Sequence, residues 1–145
     1  MARVVEDVIV AHGHENIRGT HKTTFEVTRD EELTPRGNCI IGVGADRSIK
    51  DIDEEIKEML RRGARAEVLI ELPDYGIKET VLGYGSSKLT FSDDRDIVVR
   101  KSNYTCGRTL LIRANKSALD LNREIIELLK DKSTIIELKI LVKKI

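Results

Sequence analysis

Residues 17–28 change character at every second position. Ile17, Gly19, His21, Thr23, Phe25 and Val27 fall on one side, and Arg18, Thr20, Lys22, Thr24, Glu26 and Thr28 on the other. A period of two with one polar face predicts a half-buried antiparallel strand. Residues 4–11 read as a strand before it, and His12-Gly13-His14-Glu15-Asn16 as the hairpin turn between them. A charged loop, broken by Pro35 and Gly37, leads to a short apolar strand over 39–45. Ser48 with Asp51 matches a helix-start signal, and Ile49, Ile52, Ile56, Met59 and Leu60 supply the buried stripe of a first helix. Gly63 ends it. Strands follow at 66–72 and 77–82 around the turn Pro73-Asp74-Tyr75-Gly76, then at 88–92, 96–100 and 109–114. Ser117 with Asp120 opens a second helix that buries Leu121, Ile125, Leu128 and Leu129, and a strand over 135–142 closes the chain.

The two helical stretches resemble each other. Residues 41–61 align without a gap to residues 110–130, with 7 of 21 positions identical. A match of this length implies two halves, each with a strand, a helix and a strand, around a pseudo-two-fold axis. Upstream the match is weaker; an offset of 64 sets Ile17-Arg18-Gly19 beside Val81-Leu82-Gly83 and requires an insertion near residues 101–107. The expected fold is therefore α+β and internally duplicated, with a mostly antiparallel sheet carrying two equivalent helices. It is expected to be one domain over 1–145 made of repeats at about 1–72 and 73–145.

Composition narrows the class. Aromatic residues make up only 3%, so the core must be built from Ile, Leu and Val. Lys, Arg and Glu are abundant while amides are scarce, which resembles thermophilic proteins. No apolar run reaches the ~18 residues of a membrane span, and the charged start does not read as a signal peptide. Cys39 reads as a small buried hydrophobe and Cys106 as a loop residue; neither suggests a metal spacing or a disulfide, and a cytoplasmic setting is the default. The 25 basic and 25 acidic residues cancel overall, but residues 1–72 hold 11 basic against 15 acidic side chains and residues 73–145 hold 14 against 10. That asymmetry suggests a basic face in the second half.

Gly13-His14-Glu15-Asn16, Thr20-His21-Lys22-Thr23-Thr24, the run from Leu33 to Val43, Arg108-Thr109-Leu110 and Arg113-Ala114-Asn115-Lys116 resemble one archaeal family, catalogued as domain of unknown function 371. The resemblance covers nearly the whole chain. It implies an archaeal, cytosolic origin and supplies no activity or catalytic residue.

Two constellations could carry chemistry. In the predicted hairpin, strand parity puts His12, His14 and His21 on one face with Ile17, Phe25 and Val27. Three imidazoles on one face could hold a divalent metal such as zinc and activate a water for hydrolysis. The competing reading gives each histidine a local structural role, and a bulge at Gly13 would separate them. The second constellation is the strand-to-helix junction, where Asn115, Lys116 and Ser117 precede a helix N-terminus, with Arg100, Lys101, Arg108 and Arg113 nearby. Unpaired N–H groups and cations suit phosphate, while ordinary helix capping explains the same residues. The favoured function is binding of a small polar ligand or metal near the histidines. RNA or a phosphorylated partner held by the basic surface is the alternative, and a structural, homo-oligomer-forming protein a third. Whether the chain is an enzyme is left open, and no membrane association is expected.

Overall fold

The computed structural model describes residues 3–144. Eight strands form two four-stranded sheets. The first contains β1 (Arg3–His12), β4 (Arg65–Leu72), β5 (Ile77–Tyr84) and β8 (Ile135–Lys144), in the order β1-β8-β4-β5 and antiparallel throughout. The second contains β2 (Thr24–Thr28), β3 (Ile40–Gly42), β6 (Asp96–Arg100) and β7 (Thr109–Leu111), in the order β3-β2-β6-β7. Its central pair β2–β6 is antiparallel, while β3 and β7 each run parallel to their neighbour. Single bridges, His12 to Val43 and Tyr84 to Ile112, join the sheets at both margins and close the strands into a ring. The helices are short, α1 (Glu54–Arg61) and α2 (Arg123–Leu128). The α+β class and the mostly antiparallel pairing agree with the sequence pattern.

One face of each sheet is apolar. In β4, Ala66, Val68, Ile70 and Leu72 are buried while Arg65 and Glu67 are exposed; in β8 Ile136, Leu138, Ile140 and Val142 are buried. Phe25 and Val27 lie opposite Val99 and Ile97 in β2–β6 and supply the second sheet's contribution. The core is aliphatic, with Phe25 among its few rings.

Both halves use the same hydrogen bonds. Thr20 and His21 donate to the Asn38 carbonyl, as Ser92 and Asp93 donate to that of Gly107. Leu119 donates to His21 and Lys50 to Asp93; Ala45 donates to Thr28 and Ala114 to Arg100. Gly13 donates to Thr134 and Gly85 to Ala64. These two glycines face the carbonyl ends of the helices, where a Cβ would lie 2.3 Å from the Leu129 oxygen or 1.9 Å from the Leu60 oxygen, so only glycine fits. The offset between matching strands is 72 for β1/β5 and β2/β6, and 69 for β3/β7 and the helix starts. The upstream offset of 64 is thus corrected. The extra residues sit in the first half, in the loop 29–39, and not near residues 101–107.

Three further expectations change. Residues 17–23 are not a strand, because their backbone groups bond to loops, Thr20 and His21 N–H to Asn38 and the His21 carbonyl to Leu119, and not to a neighbouring strand. The His21 Nδ1 accepts from the Thr23 and Thr24 N–H groups, and Gly19 has φ of +57°. β1 and β2 lie in different sheets, so the expected hairpin does not form. Residues 88–92 are likewise irregular, with Phe91 at φ of +49°. The helices start later than their serines: Ser48 and Ser117 each donate through N–H and hydroxyl to Asp51 or Asp120 around a 3-10 turn. Extended Ile52 and Leu121 interrupt the spiral, and Asp53 and Asn122 cap the α-helices proper.

Candidate functional site

With the hairpin absent, nothing places the three histidine rings on one strand face. His12 directs Nδ1 to the Gly13 carbonyl at 2.9 Å and Nε2 to the Glu31 carboxylate at 2.8 Å. Both ring nitrogens face oxygen atoms, so the ring is held in place by its own neighbours. His14 accepts from the Asn16 N–H, and His21 caps the turn before β2. Among the described residues, no group of three His, Cys, Asp or Glu side chains is arranged to hold a metal ion. Each of His12, His14 and His21 thus has a local structural partner.

The strand-to-helix junctions also have structural work in both halves. Asp46 accepts from the Val10 N–H, and Asn115 from that of Leu82, which ties each junction to an edge strand. Arg47 binds Asp7 through two nitrogens at 3.0 and 2.6 Å; Lys116 binds Glu79 at 2.9 Å. Asp7 and Glu79 then accept from the N–H of the helix caps Asp53 and Asn122. Partial burial opposes ionisation of Asp7, but Arg47 and two backbone N–H groups outweigh it and hold the carboxyl below its ordinary value. Ser117 is fully buried beneath Asp120. These contacts explain Asn115, Lys116 and Ser117 without a phosphate. Of the remaining basic residues, Lys101 pairs with Asp120 at 3.0 Å, and the Arg113 guanidinium lies 4.5 Å from the centre of the Tyr84 ring.

Arg100 and Arg108 are different. They reach over the face of the second sheet that turns away from the core. Cross-strand partners share a face, so Thr24, Glu26 and Thr28 line up with Arg100, Val98 and Asp96. Such a polar row would ordinarily meet water, yet Thr24, Glu26, Thr28 and Asp96 are all buried. β3 and β7 bring the cover. Cys39 approaches the Glu26 Oε1 at 3.7 Å; Arg108 Nη1 lies 3.8 Å from the same oxygen and 3.4 Å from Asp96 Oδ2. Arg95 approaches the other Asp96 oxygen at 3.5 Å. Arg100 donates from Nε to Thr109 Oγ1 at 2.9 Å and from Nη2 to Cys106 Sγ at 3.4 Å.

The electrostatics separate these groups. Burial, aided by the charge of Asp96, pushes the Glu26 carboxyl up to about 7 against the pull of Arg108. The Glu26 side chain is 8% exposed and that of Arg108 45%, so a proton-exchanging carboxyl sits under a solvent-reaching guanidinium. Burial and the nearby Glu26 push the Cys39 thiol up to about 11. At Cys106 partial burial also raises the thiol, but the Arg108 N–H, the Thr109 hydroxyl and Arg100 overcome it and lower the value. A buried acid near neutrality, two guanidiniums and two unlike thiols in one patch is the chemistry expected of a working site. A mostly apolar cleft of roughly 660 Å³, lined by Val4, Ala64, Leu141 and Lys143, lies on the first sheet, away from this patch. Its charged lining, Arg65, Glu67 and Lys143, includes no buried acid or thiol, and it is the weaker candidate.

Sequence reasoning named Arg100 and Arg108 but missed Glu26, Asp96, Cys39 and Cys106. A signal was present in the repeat. Once the halves are registered by strand, Glu26 matches Val98, Asp96 matches Thr24, Arg100 matches Thr28, Arg108 matches Cys39 and Cys106 matches Gly37. At the junctions the residues keep their chemistry between halves, as Arg47 and Lys116 do against Asp7 and Glu79, whereas at these positions they do not.

No helix among the described residues is long and apolar enough to cross a membrane. Comparison with known proteins finds an uncharacterised protein of Methanocaldococcus jannaschii that is 50% identical over 127 residues, covering 88% of this chain and 93% of that protein. A family model also matches residues 9–143, which takes in both helices, the whole of β2 to β7 and part of β1 and β8. By that match and that relative, the chain belongs to the archaeal family described as a domain of unknown function, DUF371.

Proposed function

We propose that this protein binds a small, polar, anionic ligand on the outer face of its second sheet, held by Arg100 and Arg108, with Glu26 as the group that takes up or releases a proton. The observation that carries the reading is the burial of Glu26 and Asp96 beneath the half-exposed guanidinium of Arg108. An arginine fork matches carboxylate or phosphate oxygens, and a protonated Glu26 leaves Arg108 less neutralised. Below neutrality the patch then carries Arg100 and Arg108 against the single charge of Asp96. Ligand binding is expected to favour protonated Glu26 and to weaken as pH rises through about 7. The small-polar-ligand reading is thereby kept, but its place moves from the histidines to the β2–β6 face.

The same reading includes the chain's history. The matched hydrogen bonds and the paired offsets support an internal duplication in one domain, with its pseudo-two-fold axis passing between Glu26 and Val98. On this account the fold is doubled, while the site, lying by the axis, is single.

Titration calorimetry with inorganic phosphate at pH 6 and pH 8 tests the proposal. Binding at pH 6 that is weaker at pH 8 and lost in Arg108→Ala is expected. Equal heats from the wild type and the variant would defeat it. RNA binding keeps a specific attraction, because Tyr104 is 61% exposed beside Lys101 and Arg100. Stacking on that ring would make Tyr104→Ala, rather than Glu26→Gln, the variant that loses single-stranded RNA.

A further inference from the structure

Cys106 opens the tight turn Cys106-Gly107-Arg108-Thr109, closed by the Thr109 N–H donating to the Cys106 carbonyl at 3.0 Å. The Cys106 N–H in turn donates to Thr109 Oγ1 at 3.2 Å. Behind the turn, the Gly107 carbonyl accepts from both Ser92 and Asp93, which anchors it to the chain before β6. The Sγ is therefore held in place. Arg100 approaches it at 3.4 Å and also donates at 2.9 Å to Thr109 Oγ1, itself 3.7 Å from the sulfur. Thiol, hydroxyl and guanidinium form one triangle, with Arg100 steadied over the Tyr104 ring at 4.9 Å. The other half has no equivalent: Gly37 stands in the place of Cys106 and Ile40 in that of Thr109.

We propose that Cys106 is a nucleophilic thiol whose substrate class is the small hydroperoxides, with Arg100 and Thr109 as the groups that orient the peroxide. The thiolate attacks one peroxide oxygen. The S–O bond forms as the O–O bond breaks, hydroxide leaves and takes a proton to become water, and the sulfur is oxidised by two electrons to a sulfenic acid. The Arg100 guanidinium stabilises both the thiolate and the departing hydroxide, and the Thr109 hydroxyl, whose oxygen already accepts from Arg100 and from the Cys106 N–H, turns its own hydrogen to the peroxide. This inference rests on the same cluster as the proposed ligand site, but its readout is sulfur chemistry, so a wild-type protein that binds no phosphate would defeat that reading and leave this one standing.

Cys39 is the internal control. With Cys39 pushed up to about 11 and the Cys106 thiol lowered by the Arg108 N–H, the Thr109 hydroxyl and Arg100, Cys106 carries the larger thiolate fraction near pH 7. Lower basicity takes back part of that advantage in intrinsic nucleophilicity. Cys106 should therefore outpace Cys39. The test is to treat the native protein with hydrogen peroxide in the presence of dimedone and to map the adduct by peptide mass spectrometry over time. The expected result is labelling at Cys106 ahead of Cys39. Arg100→Gln and, separately, Thr109→Val should slow it several-fold, with circular dichroism confirming that each variant is folded. Equal labelling of the two cysteines, faster labelling of Cys39, or a rate indifferent to both folded variants would overturn the proposal.

Discussion

Replacing Glu26 by Gln isolates the cost of holding that carboxyl in the sheet. The folded-state value is about 7 against an ordinary 4.5. Because the folded value is raised, the native state binds more protons than the unfolded chain between those two points, and stability must fall as pH rises through that window. Below about 4.5 both states are protonated and the penalty vanishes; above about 7 it is complete. At about 1.4 kcal/mol per pH unit, the penalty approaches 3 kcal/mol in order of magnitude. Little solvent relief is available, since only 8% of the side chain is exposed. Gln has nearly the same shape and cannot ionise. Glu26→Gln should then match the wild type, or fall slightly below it, at pH 4.5, and gain about 2–3 kcal/mol on it by pH 8. For a chain of this size that gain is roughly 6–10 °C in Tm. Urea unfolding of both proteins at the two pH values measures it. A difference between them that does not change with pH would refute the reasoning, because it would mean that Glu26 titrates alike in the folded and unfolded chain.

Other consequences are quickly checked. Gly13→Ala and Gly85→Ala should each cost about 3 kcal/mol or more by denaturant unfolding, because the new Cβ meets carbonyl oxygen that cannot yield. Arg47→Ala should lose about 2–3 kcal/mol by breaking a charged pair to the mostly buried Asp7, whereas Arg62→Ala, at an exposed pair with Glu58, should lose at most about 0.5 kcal/mol. In a carboxyl-resolved NMR titration, Asp120 should keep its charge down to about 2, held first by the Ser117 N–H and next by Lys101, while Glu26 changes near 7. As a depressed acid, Asp120 contributes stability above its unfolded value and loses it as pH drops toward 2.

The strands and helices that could be read from sequence are those whose apolar spacing is carried into the core. β4, β5, β8 and the stripes Ile56/Leu60 and Ile125/Leu129 behave in this way. Residues 17–23 mislead because alternation there coexists with groups that satisfy the backbone locally, as His21 does for Thr23 and Thr24. The error spread to function, since the histidine face depended on that strand. Ser48 and Ser117 mark the right places but the wrong event, a 3-10 turn before the α-helix. Glu26 could not be picked out from its own strand. Thr24, Glu26 and Thr28 have the look of a wetted face, and what covers them comes from Cys39 and Arg108, 13 and 82 positions away. The patch comes into view only in the fold, where the buried acid Glu26 stands opposite Val98.

The account stands or falls on where a small anion sits. Amide NMR spectra recorded while inorganic phosphate is added at pH 6 would locate it directly. The expected result is a saturating change confined to Glu26, Val98, Arg100 and residues 106–109, absent in Arg108→Ala. Saturating changes centred instead on His12, His14 and His21, or on Asn115–Ser117, or no saturating change at all, would contradict the claim that the β2–β6 face is the site.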